Sequence, residues 1–359
     1  MSLHKSNVQK KIAFVSFISS HGGSIKILTW LMNELSRFYY TSFINISGKD
    51  TFYPIDKRVQ RYDIGRESWK KELYNTLKQE KFDLIINFGD HAIYELAFLR
   101  PVLKYKLLVS QRGSVYPHMR IQDYVRLNII FAMCNGIVTQ TNTISKYFER
   151  GFTKRVKKYV ISNPMMWKGK NWENGKNKRI ICIGRIDIKE KRTDVLLEAM
   201  RIVVMKYPDV ELVLFGEDVK NGLEVLNRLI IDKRLQKNVF YRGITNNVDD
   251  ELCKADLQVL CSDFEGIPNA LIEGICVGIP IITTDFYGGG AQLLLGENSE
   301  FGTIVKRGSS SEMAKKIIEY FDDRDKFVKK AQAAKENIKF YSEEKILQLW
   351  REIIEDIIV

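Results

Sequence analysis

Residues 263–274 read DFEGIPNALIEG, preceded by the apolar run LQVLC (257–261) and followed by VGIPIITTD (277–285). A short β-rich run, a turn with Gly and Pro, an apolar stretch at helical spacing and a second β-rich run make a strand–turn–helix–strand unit. Two strands joined through a helix lie parallel. The turn carries a carboxylate on each side, Glu265 and Glu273. A capped core helix accounts for Asn269. It does not account for two acids beside a fully apolar run.

The same cycle repeats outward. Upstream lie RIICIGRID (179–187), TDVLLEAMRIVVMKY (193–207), VELVLFGE (210–217), GLEVLNRLIIDKRL (222–235), NVFYRG (238–243) and ADLQVLCS (255–262). The first half shows it too: KIAFVSFIS (11–19), the loop SHGGS (20–24), the helical IKILTWLMNELSRF (25–38) and TSFINIS (41–47), then buried-strand runs at 83–88, 106–110 and 136–140. Alternating β and α predicts an α/β fold of two doubly wound Rossmann-like domains. The expected boundaries are 1–165 for an N-terminal domain, a polar Gly- and Asn-rich linker at 166–178, and 179–340 for a C-terminal domain. The helix at 341–359 leaves Trp350 without a place in the second sheet, so it is expected to cross back to the first domain. Ligands of such folds bind at the carboxyl ends of the strands, here expected in a central cleft between the domains.

Composition narrows the classes. At 359 residues, 45% of them apolar, two domains with real cores are expected. The five cysteines are odd in number and show no CxxC spacing. They read as buried thiols of a reducing compartment, with neither a disulfide framework nor a zinc site. No stretch approaches a membrane span and the N-terminus lacks a signal-peptide pattern, so a cytoplasmic location is expected. Residues 1–170 hold 28 Lys and Arg against 12 Asp and Glu, a charge of +16, whereas 171–359 carry 28 against 32, or −4. The basic half suggests a polyanionic partner: a membrane surface, a phosphorylated acceptor or nucleic acid. Nucleic acid is disfavoured, because the aromatics sit in apolar periodic segments and no recognition module is present.

Four strand-end loops are candidates for chemistry. In SHGGS, Gly22 and Gly23 let backbone approach a ligand at a helix N-terminus, although a glycine pair there also serves packing alone. In GRIDIKEKRTD (184–194), Arg185 and Lys191 precede a helix and suit a phosphate or diphosphate, with a solvated charged loop as the plain alternative. In the opening stretch, Pro268 suits the first turn of a helix and Asn269 its cap, which would aim the N–H groups of Gly266 to Ala270 at the ligand. Glu265 can accept from sugar hydroxyls and Glu273 from a vicinal diol such as a ribose. DFYGGGAQLL (285–294) is a further Gly-rich turn, equally a surface loop. The Asp-Arg-Asp at 323–325 lies in a charged helical stretch and reads as a solvated face, so no metal site is expected.

These residues, in this order, resemble the retaining GT-B glycosyltransferases of family 4 (glycosyltransferases group 1). Their hallmark is two glutamates with seven residues between them, here Glu265 and Glu273. In the first half, VSQRGSVYP (109–117) and GIVTQTNTISKYF (136–148) are similar to a bacterial branch that builds surface polysaccharides. The resemblance implies metal-independent transfer, with retention, of a hexose or N-acetylhexosamine from a nucleotide-sugar donor, UDP by family default. Arg185, Lys191 and Glu265 would be catalytic. Gly266, Ile267, Pro268 and Asn269 would hold the sugar with Glu265, Glu273 the ribose, and Gly22 and Gly23 the phosphate. No cofactor is implied beyond the nucleotide-sugar substrate.

The acceptor that the resemblance implies is a saccharide, lipid-diphosphate-linked in the family's setting of capsule, O-antigen or exopolysaccharide assembly, reached at the anionic inner face of the cell membrane. One departure stands out. Many relatives carry His after the strand that here ends LLVS, where this chain has Gln111-Arg112. His91, Arg112 and His118 are then the acceptor-side candidates. The segments 120–133 and 146–160 could lie on anionic lipid, or be a core helix followed by a solvated basic stretch. A nucleotide-sugar epimerase or hydrolase on the same fold is the alternative activity.

Overall fold

The computed structural model describes residues 9–17, 22–65, 67–89, 92–113, 119–175 and 177–358, which divide into two compact units. Unit 1 comprises the chain up to Arg112, His118–Ser162 and Glu344–Val359; unit 2 comprises Gly113–Pro117 and Asn163–Glu343.

Unit 1 holds strands β1 (Lys11–Ser16), β2 (Tyr40–Asn45), β3 (Gln60–Asp63), β4 (Leu84–Phe88), β5 (Lys106–Gln111), β6 (Gly136–Thr139) and β7 (Lys157–Val160). They form one sheet in the order β3-β2-β1-β4-β5-β6-β7, every pair parallel. Its helices are α1 (Gly23–Leu35), α2 (Trp69–Glu80), α3 (Ile93–Leu103), α4 (Ile121–Ala132) and the single turn α5 (Asn142–Ser145). Ile12, Ala13, Phe14 and Val15 are all fully buried, as a central parallel strand covered on both faces requires. The edge strands β3 and β7 escape sequence reading because they are short, charged and half exposed. The basic segment 146–160 is thus neither a helix nor wholly solvated. It forms two 3-10 turns, Lys146–Phe148 and Gly151–Arg155, and then β7.

Unit 2 holds β8 (Arg179–Ile183), β9 (Glu211–Phe215), β10 (Val239–Tyr241), β11 (Leu257–Leu260), β12 (Ile281–Thr284) and β13 (Thr303–Val305), all parallel in the order β10-β9-β8-β11-β12-β13. Its helices are α6 (Thr193–Lys206), α7 (Gly222–Asp232), α8 (Val248–Cys253), α9 (Asn269–Val277), α10 (Gly290–Leu295), α11 (Ser310–Asp322) and α12 (Arg324–Asn337). Apolar clusters cover both faces of the sheet, one around Leu196, Met200 and Leu212, the other around Leu271, Ile275 and Leu295. The polar stretch 166–178 runs along this unit and is tied to it: Trp172 donates from its backbone to Val277 O at 2.8 Å and from Nε1 to Ala255 O at 2.7 Å.

In the Asp-Arg-Asp segment Asp323 and Asp325 are exposed, as a solvated face requires, but the residue between them is not. Arg324 turns inward and pairs at 2.9 Å with Asp256, whose side chain is fully buried. The last helix, α13 (Glu343–Ile358), buries Trp350, Ile353, Ile354 and Ile357. Gly136 of β6 lies beneath it, where a Cβ would meet Leu108 at 2.9 Å and Ile357 at 3.2 Å. Tyr39 donates to Glu355 at 3.0 Å, and burial together with that carboxylate pushes the phenol up to about 12. Among the described residues no helix is long and apolar enough to cross a membrane.

Candidate active site

The order of each sheet reverses direction once, between β1 and β4 in unit 1 and between β8 and β11 in unit 2. Crossovers on either side of such a point go to opposite faces, which opens a crevice at the carboxyl ends of the two central strands. In unit 2 the loop after β8 carries Arg185 and Lys191, and the loop after β11 carries Glu265. Arg185 and Lys191 line one small pocket there with Cys182 and Ser262.

The loop 184–192 is organised by Asp187, which is almost wholly buried. Its Oδ1 accepts from the backbone N–H groups of Lys189 (3.0 Å) and Glu190 (3.1 Å), and Oδ2 from Lys220 Nζ (3.3 Å). Burial raises its pKa, but these donors outweigh burial and hold the carboxyl below its usual range. Gly216 has φ +152°, and a Cβ there would run into the Gly184 carbonyl, so the loops after β8 and β9 meet backbone to backbone.

Three loops are stitched together by main chain. Asp263 N–H donates to Glu190 O (2.9 Å), Tyr287 N–H to Asp263 O (2.9 Å) and Glu265 N–H to Tyr287 O (3.2 Å). Phe264 stacks on Tyr287 at 5.2 Å, and Arg307 lies over the other ring at 3.4 Å from the Tyr287 centroid. A Cβ on Gly290 would collide with the Gly266 carbonyl, so the GGG turn closes directly on the 263–268 loop. Arg192, left-handed at φ 50°, bonds Asp194 through Nε (3.0 Å) and Nη2 (3.1 Å) and Asp263 through Nη1 (2.7 Å).

Within this frame Lys191 Nζ forms an ion pair with Glu265 Oε1, which also accepts from Ser262 Oγ at 2.9 Å. Arg185 pairs instead with Glu190 at 2.9 Å. Glu273 sits half-buried one turn into α9. The expected cap is corrected: Pro268 occupies the N-cap position and Asn269 is the first helical residue, with no side-chain cap. Asn269 instead accepts from Asn163 Nδ2 at 2.6 Å, and the same amide donates to Ile267 O at 3.1 Å, which fixes the turn Gly266–Asn269. The wholly buried Gln258 donates to Ala270 O at 2.7 Å, and a Cβ on Gly274 would strike its amide, so α9 lies close on the sheet.

In unit 1, Gly22 caps α1 in extended backbone and Gly23 begins the helix. The Arg112 guanidinium lies 4.9 Å from the Phe88 ring centre, and burial pushes its pKa down to about 9. His91 and His118 lie outside the described residues. Sequence reading missed Asn163, Asp187, Arg192, Ser262, Asp263 and Tyr287. Only Asp263, next to the Phe-Glu-Gly turn, carried a local hint.

Residues 166–339 match the family model of the glycosyl transferases group 1. An uncharacterized glycosyltransferase of Haemophilus influenzae is 25% identical over 96% of this chain and 100% of its own length. The GalNAc-alpha-(1->4)-GalNAc-alpha-(1->3)-diNAcBac-PP-undecaprenol alpha-1,4-N-acetyl-D-galactosaminyltransferase of Campylobacter jejuni is 24% identical over 97% of this chain and 99% of its own. The crystal structure of Anabaena Alr3699/HepE in complex with UDP-glucose superposes with a TM-score of 0.80 at 15% identity, covering 96% of this chain and 99% of that one. The chain thus combines two parallel doubly wound sheets of the GT-B type with a match to the glycosyl transferases group 1 over residues 166–339, the unit that carries Arg185, Lys191, Glu265 and Glu273.

Proposed function

We propose that the protein transfers a hexose or N-acetylhexosamine from a UDP-sugar to a saccharide acceptor carried on a lipid diphosphate, with retention of anomeric configuration and without a metal, in bacterial surface-polysaccharide assembly. The observation that carries this is the pairing of Lys191 with Glu265 at the strand ends of β8 and β11, with Arg185 lining the same pocket and Glu273 one turn into the adjoining helix. A diphosphate entering there meets two cations, and Lys191 exchanges Glu265 for phosphate. Glu265, released, accepts from hydroxyls of the donor sugar. Glu273 takes the ribose diol. The cations then stabilise the diphosphate as it leaves, and such preorganised charge is worth more than the same charge in water. The UDP-glucose bound by the Anabaena protein and the undecaprenol diphosphate named for the Campylobacter enzyme support the choice of donor and acceptor.

Calorimetric titration with UDP, GDP and ADP, followed by a panel of sugars on whichever nucleotide binds, tests the donor. UDP is expected to bind selectively; binding of none would remove the reading. Release of free sugar or its epimer at the same rate with and without acceptor would favour an epimerase or hydrolase instead.

A further inference from the structure

Two helices of unit 1 leave an apolar groove open to solvent. Tyr94, Phe98 and Val102 recur every fourth residue on α3, and Ile121, Val125 and Ile129 do so on α4, a spacing that keeps each trio on one face. Five of these and Arg126 line a depression of about 540 Å³. Phe98, Val102 and Ile121 are 63%, 68% and 72% exposed. The core does not need them: Ile93, Leu96 and Ala97 are buried on α3 and Phe131 on α4, while Ile130 is buried where it lines the depression.

Cations surround the groove. Arg126 lies 4.5 Å from the centre of the Tyr94 ring and Lys104 stands exposed at the end of α3, while Arg120, exposed at the start of α4, is paired with Asp123 at 2.9 Å. Along the other flank of α4, the 3-10 turns present Lys146, Arg150, Lys154 and Arg155, all exposed, with Phe152 among them. Thr153 Oγ1 bonds Asn128 Oδ1 at 3.1 Å and Tyr124 OH bonds Tyr147 O at 3.2 Å, which holds these turns against the helix. Exposed apolar side chains ringed by Lys and Arg match an interface that is apolar inside and anionic at its rim. A second copy would bring like charges together.

We propose that the α3–α4 groove, with the basic turns beside it, docks the chain on an anionic lipid bilayer. Phe98, Val102 and Ile121 enter the acyl boundary, and the surrounding Lys and Arg reach the phosphates. This deepens the reading above, since a lipid-carried acceptor lies at such a surface, but neither donor nor acceptor is needed to test it. The full chain is mixed with vesicles of phosphatidylcholine, or of phosphatidylcholine and phosphatidylglycerol, and sedimented. It is expected to partition onto the anionic vesicles, and less so as salt rises. Phe98→Ser with Ile121→Ser, and separately Lys154→Glu with Arg155→Glu, should each lower the partition coefficient about tenfold, with thermal unfolding and UDP titration in solution unchanged. Absence of partitioning, or equal partitioning of parent and both variants, would overturn the proposal. So would a dimer that the serine pair dissolves. Vesicle binding without UDP binding keeps the docking face and removes the transfer reading; UDP binding without vesicle binding does the reverse.

Discussion

Lys191 and Glu265 are 74 positions apart in the chain yet form one ion pair. If Lys191 serves the departing diphosphate, Lys191→Ala lowers kcat by about 10²-fold, the loss typical of one preorganised donor. Glu273→Ala is expected to raise the dissociation constant for UDP and UDP-sugar alike. Steady-state kinetics with calorimetry separates the two, and unchanged constants in both variants would remove the assignment. Arg192 presents a different case. A left-handed backbone costs a non-glycine residue about 1 kcal/mol, and here the bonds to Asp194 and Asp263 offset it. Arg192→Gly relieves the backbone and deletes the tie between the loops that carry Lys191 and Glu265. The expected outcome is a fall in kcat with a change in stability within about 1 kcal/mol; full activity in this variant would show that the tie does not position the site.

At the scale of elements, the loop after β8 depends on a carboxylate and the last helix on a tryptophan. Asp187 is held below its usual pKa by backbone N–H groups and Lys220 despite its burial. A depressed carboxyl contributes stability above its unfolded pKa of about 4 and loses it as pH falls through the folded value. Asp187→Asn is therefore expected to be less stable than the parent at pH 7, with the difference closing below about pH 4; urea unfolding across that range measures it. Trp350 is fully buried on α13. Trp350→Ala should cost about 3–5 kcal/mol, read from the same unfolding curves.

For the molecule as a whole, the two units carry separate sheets and separate cores, so a ligand of unit 2 acts first on that unit. Saturation with UDP at about a hundred times its dissociation constant adds about 2.7 kcal/mol to the state that binds it. Amide hydrogen exchange is expected to slow at 184–192 and 262–273. Protection confined to other segments would place the nucleotide elsewhere. The charge division belongs to this scale too: the basic half contains the exposed groove, and the acidic half contains the pocket lined by Arg185 and Lys191.

How much of this was legible depends on the range of the interaction responsible. Alternating apolar runs and helical spacing are local and record burial directly, so the α/β cycle, most strand positions, the strand-end placement of Arg185, Lys191 and Glu265, and Glu273 in the helix that follows could be read from residues alone. The strands β3, β7 and β13 could not, because edge strands need little burial and leave little pattern. Nor could the inward turn of Arg324, since its partner Asp256 is 68 residues away. The same holds for Asn163 bonding the turn at 267–269 and for Arg192 bonding Asp263. Sequence by itself determined which residues arrive at the carboxyl ends of the strands. Tertiary structure alone decided which of them meet, because a hydrogen bond or ion pair between distant loops exists only once the sheet order has brought those loops side by side.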